Sequence, residues 1–93
     1  MIASFGDKDT ERLARGVRVR KFAAFERVAL RKLRQLQAAS VLDDLRVPPG
    51  NRLEALRGDR TGHYSIRIND QYRICFAWDN GAASDVEIID YHS

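Results

Sequence analysis

The chain has few of the residues that build disulfides and metal sites. It holds one cysteine, Cys75, and two histidines, His63 and His92, among 93 residues. A single cysteine excludes an intramolecular disulfide and a zinc site built on cysteines, and the two histidines lie too far apart for the ligand spacing of a structural zinc site. We therefore expect neither a bound metal nor a cofactor.

Long apolar segments and glycine-rich phosphate loops are also missing. The longest apolar run, residues 74–78, is far too short to cross a bilayer. The first residues lack the basic and apolar regions of a secretory signal, and neither GxGxxG nor a Walker motif occurs. These absences predict a soluble, cytoplasmic protein that makes no membrane contact.

The length and the charge distribution indicate how many domains the chain forms and what kind of partner it binds. With 93 residues the chain is expected to form a single domain over 1–93. Its net charge of +3 is uneven, because residues 1–39 carry ten basic and four acidic side chains, whereas residues 62–93 carry two and five. This asymmetry favours a polyanionic partner such as nucleic acid. An arginine-rich helix face that simply meets solvent explains it equally well.

The first half of the chain is predicted to be helical. A short helix should end at Gly16, and a second, amphipathic helix of about 18 residues should follow, because apolar residues recur there at spacings of three and four. Its apolar face consists of Phe22, Phe25, Ala29, Leu33 and Leu36. A stripe of arginines on another face consists of Arg20, Arg27, Arg31 and Arg34.

The second half has the pattern of β-strands. Residues 63–69 and 71–78 alternate between apolar and polar side chains, 52–56 and 85–91 are further strands, and 2–5 forms a short first strand. Helices followed by consecutive strands indicate an α+β fold, with helices on one face of an antiparallel meander.

On the sheet face opposite the helices, few residues have a side chain that could bind a substrate or transfer a proton. Alternation places Arg67 and Arg73 there, where the planar guanidinium fork suits a phosphate. Pairing with Glu54, Glu87 or Asp90 is the structural alternative.

The two histidines differ in their expected settings. His63 follows a glycine in a turn region and is expected to be a solvated loop residue. His92 follows the last strand, and imidazole titrates near neutral pH, which suits proton transfer. A solvent-exposed terminal side chain is the alternative for His92.

Three stretches together resemble the HigB-type toxins of the RelE/ParE superfamily. They are residues 48–59 (PPGNRLEALRGD), residues 64–76, which hold YSIRIN and YRICF, and the ending Asp90-Tyr91-His92. The resemblance covers nearly the whole chain. It implies a small α+β fold with N-terminal helices on one face of a curved antiparallel sheet of four to five strands.

The resemblance also implies a function and partners. Such toxins belong to bacterial type II toxin–antitoxin pairs and cut mRNA in the ribosomal A site, which stops translation. The implied partner is a HigA-type helix-turn-helix antitoxin, so that operator DNA is contacted only through the antitoxin. Asp90, Tyr91 and His92 match the family's C-terminal cleavage residues, and Arg73 matches a basic position on the central strand. Glu54 departs from the histidine that several HigB toxins carry at this position.

These residues suggest a metal-independent attack of the ribose 2′-OH on the adjacent phosphate. Glu54 would be the base and His92 the acid, with Arg73 and either Arg57 or Arg67 stabilising the developing charge. Tyr91 would stack on a base or position the backbone, Asp90 would orient His92, and Arg52 would add positive charge beside the strand. The arginine stripe would contact ribosomal RNA.

Two other functions share the expected fold. A gyrase inhibitor of the ParE kind would not cleave RNA, and the Asp90-Tyr91-His92 ending argues against it. A catalytically weak toxin relic would act only as a module that binds the antitoxin.

Overall fold

Two α-helices precede a four-stranded sheet in the computed structural model, which describes residues 1–91. The helices are α1 (Lys8–Ala14) and α2 (Glu26–Ala38). The strands are β1 (Glu54–Ala55), β2 (His63–Arg67), β3 (Tyr72–Asp79) and β4 (Ala82–Asp90). Four short 3₁₀ segments complete the order, at Arg20–Phe25, Leu42–Arg46, Pro49–Asn51 and Gly58–Arg60. His92 lies outside the described residues.

The amphipathic stretch is helical from Arg20 to Ala38, as expected, but it is divided between two kinds of helix. Arg20–Phe25 is 3₁₀, and α2 begins only at Glu26. A spacing of three residues places side chains on one face in either helix type, so periodicity alone does not distinguish them. The break at Phe25 lets its ring lie 4.4 Å from that of Tyr72, between centroids. The 3₁₀ segment thus packs against the start of β3.

The sheet is an antiparallel meander in the order β1-β2-β3-β4, which confirms the predicted α+β fold. Asn80 and Gly81 both have positive φ and form the tight turn between β3 and β4. The expected strand over 52–56 is shorter, because only Glu54 and Ala55 pair with β2. The expected first strand is reduced to two parallel bridges from the N-terminal segment to β4, Ile2 with Ala83 and Phe5 with Val86.

The helices cover one face of this sheet. The buried side chains on that face are Ile66, Ile74, Phe76, Val86 and Ile88. They share one core with the buried residues of the helical half, Leu13, Phe22, Ala29, Leu33 and Leu36. No helix within residues 1–91 is long and apolar enough to span a bilayer. Because the core lies on one side, the opposite face of the sheet is left for polar side chains.

Candidate active site

A row of four side chains crosses the face of the sheet that the helices leave uncovered. Pairing in register aligns Glu54 of β1 with Ser65 of β2, Ser65 with Cys75 of β3, and Cys75 with Glu87 of β4. Aligned residues project to the same side, and three strand spacings separate the two glutamates by about 14 Å between Cα atoms. The small, buried Ser65 and Cys75 form a floor between two carboxylates.

Arg73 lies at one end of this floor and is held rigidly. Its Nε donates to Ser65 Oγ at 2.8 Å, and its Nη2 donates to the carbonyl oxygens of Arg52 at 2.5 Å and Ser65 at 3.2 Å. Arg73 lies on the sheet face that the alternation predicts, but only 8 % of the residue is exposed, so it is buried there. The loop before β1 folds over the guanidinium and covers it.

Glu54 stands next to this fixed charge. Its Oε1 lies 3.6 Å from Nη1 of Arg73, and its side chain is 59 % exposed. The carboxylate therefore meets solvent on one side and a buried cation on the other. A carboxylate placed in this way can accept a proton from a ligand that approaches over the floor, while the guanidinium beside it can bind an anion.

A second pair of opposite charges stands at the other end of the row. Nη2 of Arg60, from the 3₁₀ segment before β2, lies 3.7 Å from Oε1 of Glu87. The sequence patterns predict no role for Arg60, because it falls in a glycine-bounded turn, and predict only a pairing role for Glu87. The alternation of Val86 and Ile88 is the signal that places Glu87 on the uncovered face.

Tyr91 reaches back over the floor from the end of β4. Its hydroxyl oxygen lies 3.7 Å from Cys75 Sγ, which donates to it, and its backbone N–H donates to Gln71 O at 2.6 Å. Burial raises the pKa of the Tyr91 phenol and of the Cys75 thiol, and the charges of Arg60 and Arg73 partly oppose both shifts. Both groups are therefore protonated at neutral pH.

His63 lies in the sheet, and its prediction as a solvated loop residue is wrong. It is the first residue of β2, it aligns with Ala77, and it projects to the same side as Ser65. Its Nδ1 is buried and has no hydrogen-bond partner within the described chain. The glycine at position 62 suggests a loop in the sequence, but β2 begins directly after it. His63 thus adds an imidazole near this face.

The remaining predicted site residues are spread around the sheet. Arg67 aligns with Arg73 and pairs with Asp70 in the β2–β3 turn. Arg52 and Arg57 are exposed on either side of β1. Asp90 aligns with Tyr72, which belongs to the helix-covered side, and its Oδ2 accepts from Gln71 Nε2 at 3.0 Å. The geometry therefore brings Glu54, Arg73 and Tyr91 to one face and leaves Asp90 at its edge.

The arginine stripe lies on the opposite side of the molecule from this floor. Arg27, Arg31 and Arg34 are exposed on α2, and Arg20 is exposed in the preceding 3₁₀ segment. None of the ion pairs within residues 1–91 involves these four. Beside the stripe, Arg34 also lines a groove of about 510 Å³ between α1, α2 and the N-terminal segment. That groove contains no acid–base pair among its described lining residues, so chemistry is better placed on the sheet.

Comparison with known proteins identifies relatives over most of the chain. Residues 4–92 match the family model described as a RelE-like toxin of the type II toxin–antitoxin system HigB. "Toxin HigB-1" of Vibrio cholerae is 49 % identical over 61 residues, which cover 66 % of this chain and 64 % of that protein. An uncharacterized protein of Haemophilus influenzae is 39 % identical over 67 residues, which cover 72 % of this chain and 65 % of that protein. Both matches therefore span slightly less than two thirds of the relatives' length.

Solved structures show the same fold. The YoeB–YefM complex from Staphylococcus aureus contains a chain that superposes with a TM-score of 0.55 at 18 % identity, over 100 % of this chain and 99 % of that one. At this identity the likeness concerns the fold alone. The family match over residues 4–92 leads to one conclusion, with which this fold agrees: the chain belongs to the RelE-like HigB toxins of type II toxin–antitoxin systems.

Proposed function

We propose that this toxin is a ribosome-dependent endoribonuclease that cleaves mRNA and thereby inhibits translation. One observation carries the proposal: the Glu54 carboxylate lies 3.6 Å from a guanidinium that three hydrogen bonds immobilise in the sheet. A base beside a fixed phosphate-binding cation is the pair that RNA transesterification needs. Membership of a RelE-like toxin family supports the same reaction class.

The reaction is an internal transfer at one phosphate. Glu54 removes the proton from the ribose 2′-OH, and the 2′-oxygen forms a bond to the adjacent phosphorus. The bond from phosphorus to the 5′-oxygen breaks, and His92 gives its proton to that leaving group. The products are a 2′,3′-cyclic phosphate and a free 5′-hydroxyl, so the step needs no metal.

Arg73 stabilises the charge that develops on the phosphate oxygens. Because its guanidinium is already oriented by Ser65 and the Arg52 carbonyl, little reorganisation is needed when the phosphate arrives. Tyr91 stacks on a base or positions the backbone, with Asp90 orienting His92 from the edge of the sheet. Arg52, Arg57 and Arg67 supply further positive charge around the site.

The openness of the site supports the proposed dependence on the ribosome. The side chain of Glu54 is more than half exposed, so the toxin by itself holds the 2′-OH only loosely against the phosphate. The ribosome supplies that alignment, which can be worth several orders of magnitude. Arg20, Arg27, Arg31 and Arg34 dock the toxin on ribosomal RNA, and a HigA-type antitoxin neutralises it.

The decisive experiment measures cleavage of mRNA on programmed ribosomes by the purified toxin. We expect cuts only when ribosomes are present, with 2′,3′-cyclic phosphate at the new ends by mass spectrometry. Glu54→Gln and His92→Ala should each slow the single-turnover rate by about 10²–10⁴-fold. Arg12→Ala, at an exposed position on α1, is the matched control and should cleave at the parental rate.

Other outcomes would identify one of the two alternative functions, a gyrase inhibitor or a non-catalytic binding module. Induction of the DNA-damage response without mRNA decay would identify a gyrase inhibitor. Normal growth on expression of a folded product without the antitoxin would identify a non-catalytic binding module. Circular dichroism of each variant keeps loss of folding from being mistaken for loss of chemistry.

A further inference from the structure

The two arginines at the ends of the polar row differ in their freedom to move. Arg73 is buried and makes three hydrogen bonds, so its guanidinium is fixed in the sheet. The side chain of Arg60 is 43 % exposed, and its ion pair to Glu87 spans 3.7 Å, which is longer than a hydrogen-bonded pair. Arg60 can therefore leave Glu87 at little cost, whereas Arg73 cannot leave its place.

Both arginines border the polar row, at opposite ends. Arg73 stands by Glu54 at the β1 end of the row, and Arg60 stands by Glu87 at the β4 end. Both charges act on Cys75 and on Tyr91, which lie between them. A phosphate that rests over Ser65 and Cys75 thus has a fixed cation on one side and a mobile cation on the other.

We propose that Arg60 is a second phosphate-binding residue, which Glu87 holds in the empty site and releases to the scissile phosphate when RNA binds. The proposal rests on the proposed ribonuclease function. Arg73 then contacts one non-bridging oxygen and Arg60 the other. Glu87 competes with the phosphate for Arg60, so the free toxin keeps the two cations from acting together on other anions.

The two non-bridging oxygens can be distinguished by replacing each with sulfur. We would measure single-turnover cleavage on programmed ribosomes of mRNA carrying an Rp or an Sp phosphorothioate at the cleavage site. Arg60→Ala should slow cleavage of the all-oxygen mRNA by about 10²–10³-fold. It should also abolish the sulfur effect for one diastereomer and leave that of the other unchanged.

Two further variants test the release by Glu87. Glu87→Gln should tighten binding of a non-cleavable, 2′-deoxy-substituted mRNA on the ribosome several-fold, and the gain should shrink when Arg60→Ala is also present. Arg60→Lys, which keeps the charge but loses the planar fork, should recover only part of the rate. Arg12→Ala again serves as the control, because Arg12 pairs with Asp9 at the same 3.7 Å on α1.

The outcomes that overturn this proposal differ from those that overturn the ribonuclease function. Suppose that the parental toxin cuts ribosome-bound mRNA. An unchanged cleavage rate for Arg60→Ala, or equal sulfur effects for both diastereomers in that variant, would then refute the role of Arg60 and leave the ribonuclease function standing. If Glu87→Gln increased the affinity for the non-cleavable mRNA equally with and without Arg60, the proposed release of Arg60 by Glu87 would be refuted. A parental toxin that cuts no mRNA would overturn the ribonuclease function and this proposal together.

Discussion

At the scale of single residues, Arg73 combines two tasks that usually belong to different side chains. It joins β2 and the loop before β1 through Ser65 and the carbonyl of Arg52, and it faces Glu54 with its remaining nitrogen. An arginine buried to this degree is stable only when its donors are satisfied. Removing Arg73 should therefore disturb folding as well as the proposed chemistry, and its variants need a stability measurement beside the activity.

Replacing Arg73 by lysine should destabilise the protein. Lysine retains a positive charge but does not reproduce the forked contacts with Ser65 and Arg52, so we expect a decrease of about 2 kcal/mol in the free energy of unfolding. Urea denaturation checks this. Arg67→Lys, at the more exposed cross-strand neighbour, should decrease it by less than about 1 kcal/mol. Equal decreases for the two variants would contradict a structural role for Arg73.

Cys75 should be unreactive in the folded protein. The residue is buried, and burial raises the pKa of its thiol, so little thiolate exists at neutral pH. Iodoacetamide at slightly alkaline pH should modify it slowly in buffer and rapidly in urea, as mass spectrometry would show. Removing the hydroxyl that lies 3.7 Å away, in Tyr91→Phe, should change this protection little, since burial is its main cause.

At the scale of elements, hydrogen bonds from α2 to the short 3₁₀ segments help to join the helices to the sheet. Buried Lys32 of α2 donates to Asn51 Oδ1, and Asn51 Nδ2 donates to Leu45 O at 3.0 Å and Gln35 Oε1 at 3.2 Å. These contacts attach α2 to the loop before β1. The backbone that leads into β1, and so to Glu54, is therefore attached to α2.

Asp44 should make the segment Leu42–Arg46 sensitive to acid. The N–H groups of Ser40 and Val41 donate to its carboxylate and hold the pKa below its ordinary value of 3.8. The stabilising contribution is thus present above that value and is lost as the pH falls through the lowered pKa. Asp44→Ala should melt at a lower temperature than Asp43→Ala at neutral pH, and the difference should vanish in strong acid, below the lowered pKa. A difference that persists there would contradict this cause.

The sequence patterns predicted which strand residues share a face, but they did not predict what covers that face or where turn residues lie. Alternation in β2 and β3 identifies which side chains share a face, because strand geometry has a fixed period. It says nothing about what covers that face, so the burial of Arg73 under the Arg52 loop was unforeseeable. Arg60 and His63 flank a glycine-containing turn, where no period exists, and their placement depends on long-range pairing that local patterns do not contain.

At the scale of the whole molecule, the charge is divided between two surfaces. The stripe of Arg20, Arg27, Arg31 and Arg34 lies on the helical side, and Arg60 and Arg73 stand with acidic partners at the uncovered face of the sheet. The stripe has no ion pairs within the described residues, whereas Arg60 and Arg73 each have one. The net charge of +3 is therefore a poor measure of either surface.

Reversing charge on the stripe should weaken docking and leave the chemical step intact. Arg27→Glu combined with Arg31→Glu should lower affinity for ribosomes and reduce its salt dependence, by about 0.7–0.9 in logarithmic slope for each phosphate that is no longer neutralised. Single-turnover cleavage at saturating toxin should stay at the parental rate. Arg12→Glu on α1 is the matched control. Unchanged affinity would assign the stripe to solvent or to the antitoxin.

The N-terminal segment binds the last strand of the described chain, and this sets how late in synthesis the fold can be completed. Ser4 and Asp85, which are 81 positions apart, are joined by a hydrogen bond, and Ile2 and Phe5 pair with the same strand. Contacts of such long sequence separation form late and slowly. During synthesis, Glu54 and Arg73 emerge before the strand that carries Glu87 and leads to Tyr91. A nascent chain therefore cannot bring these four side chains to one face of the sheet until β4 has been synthesised.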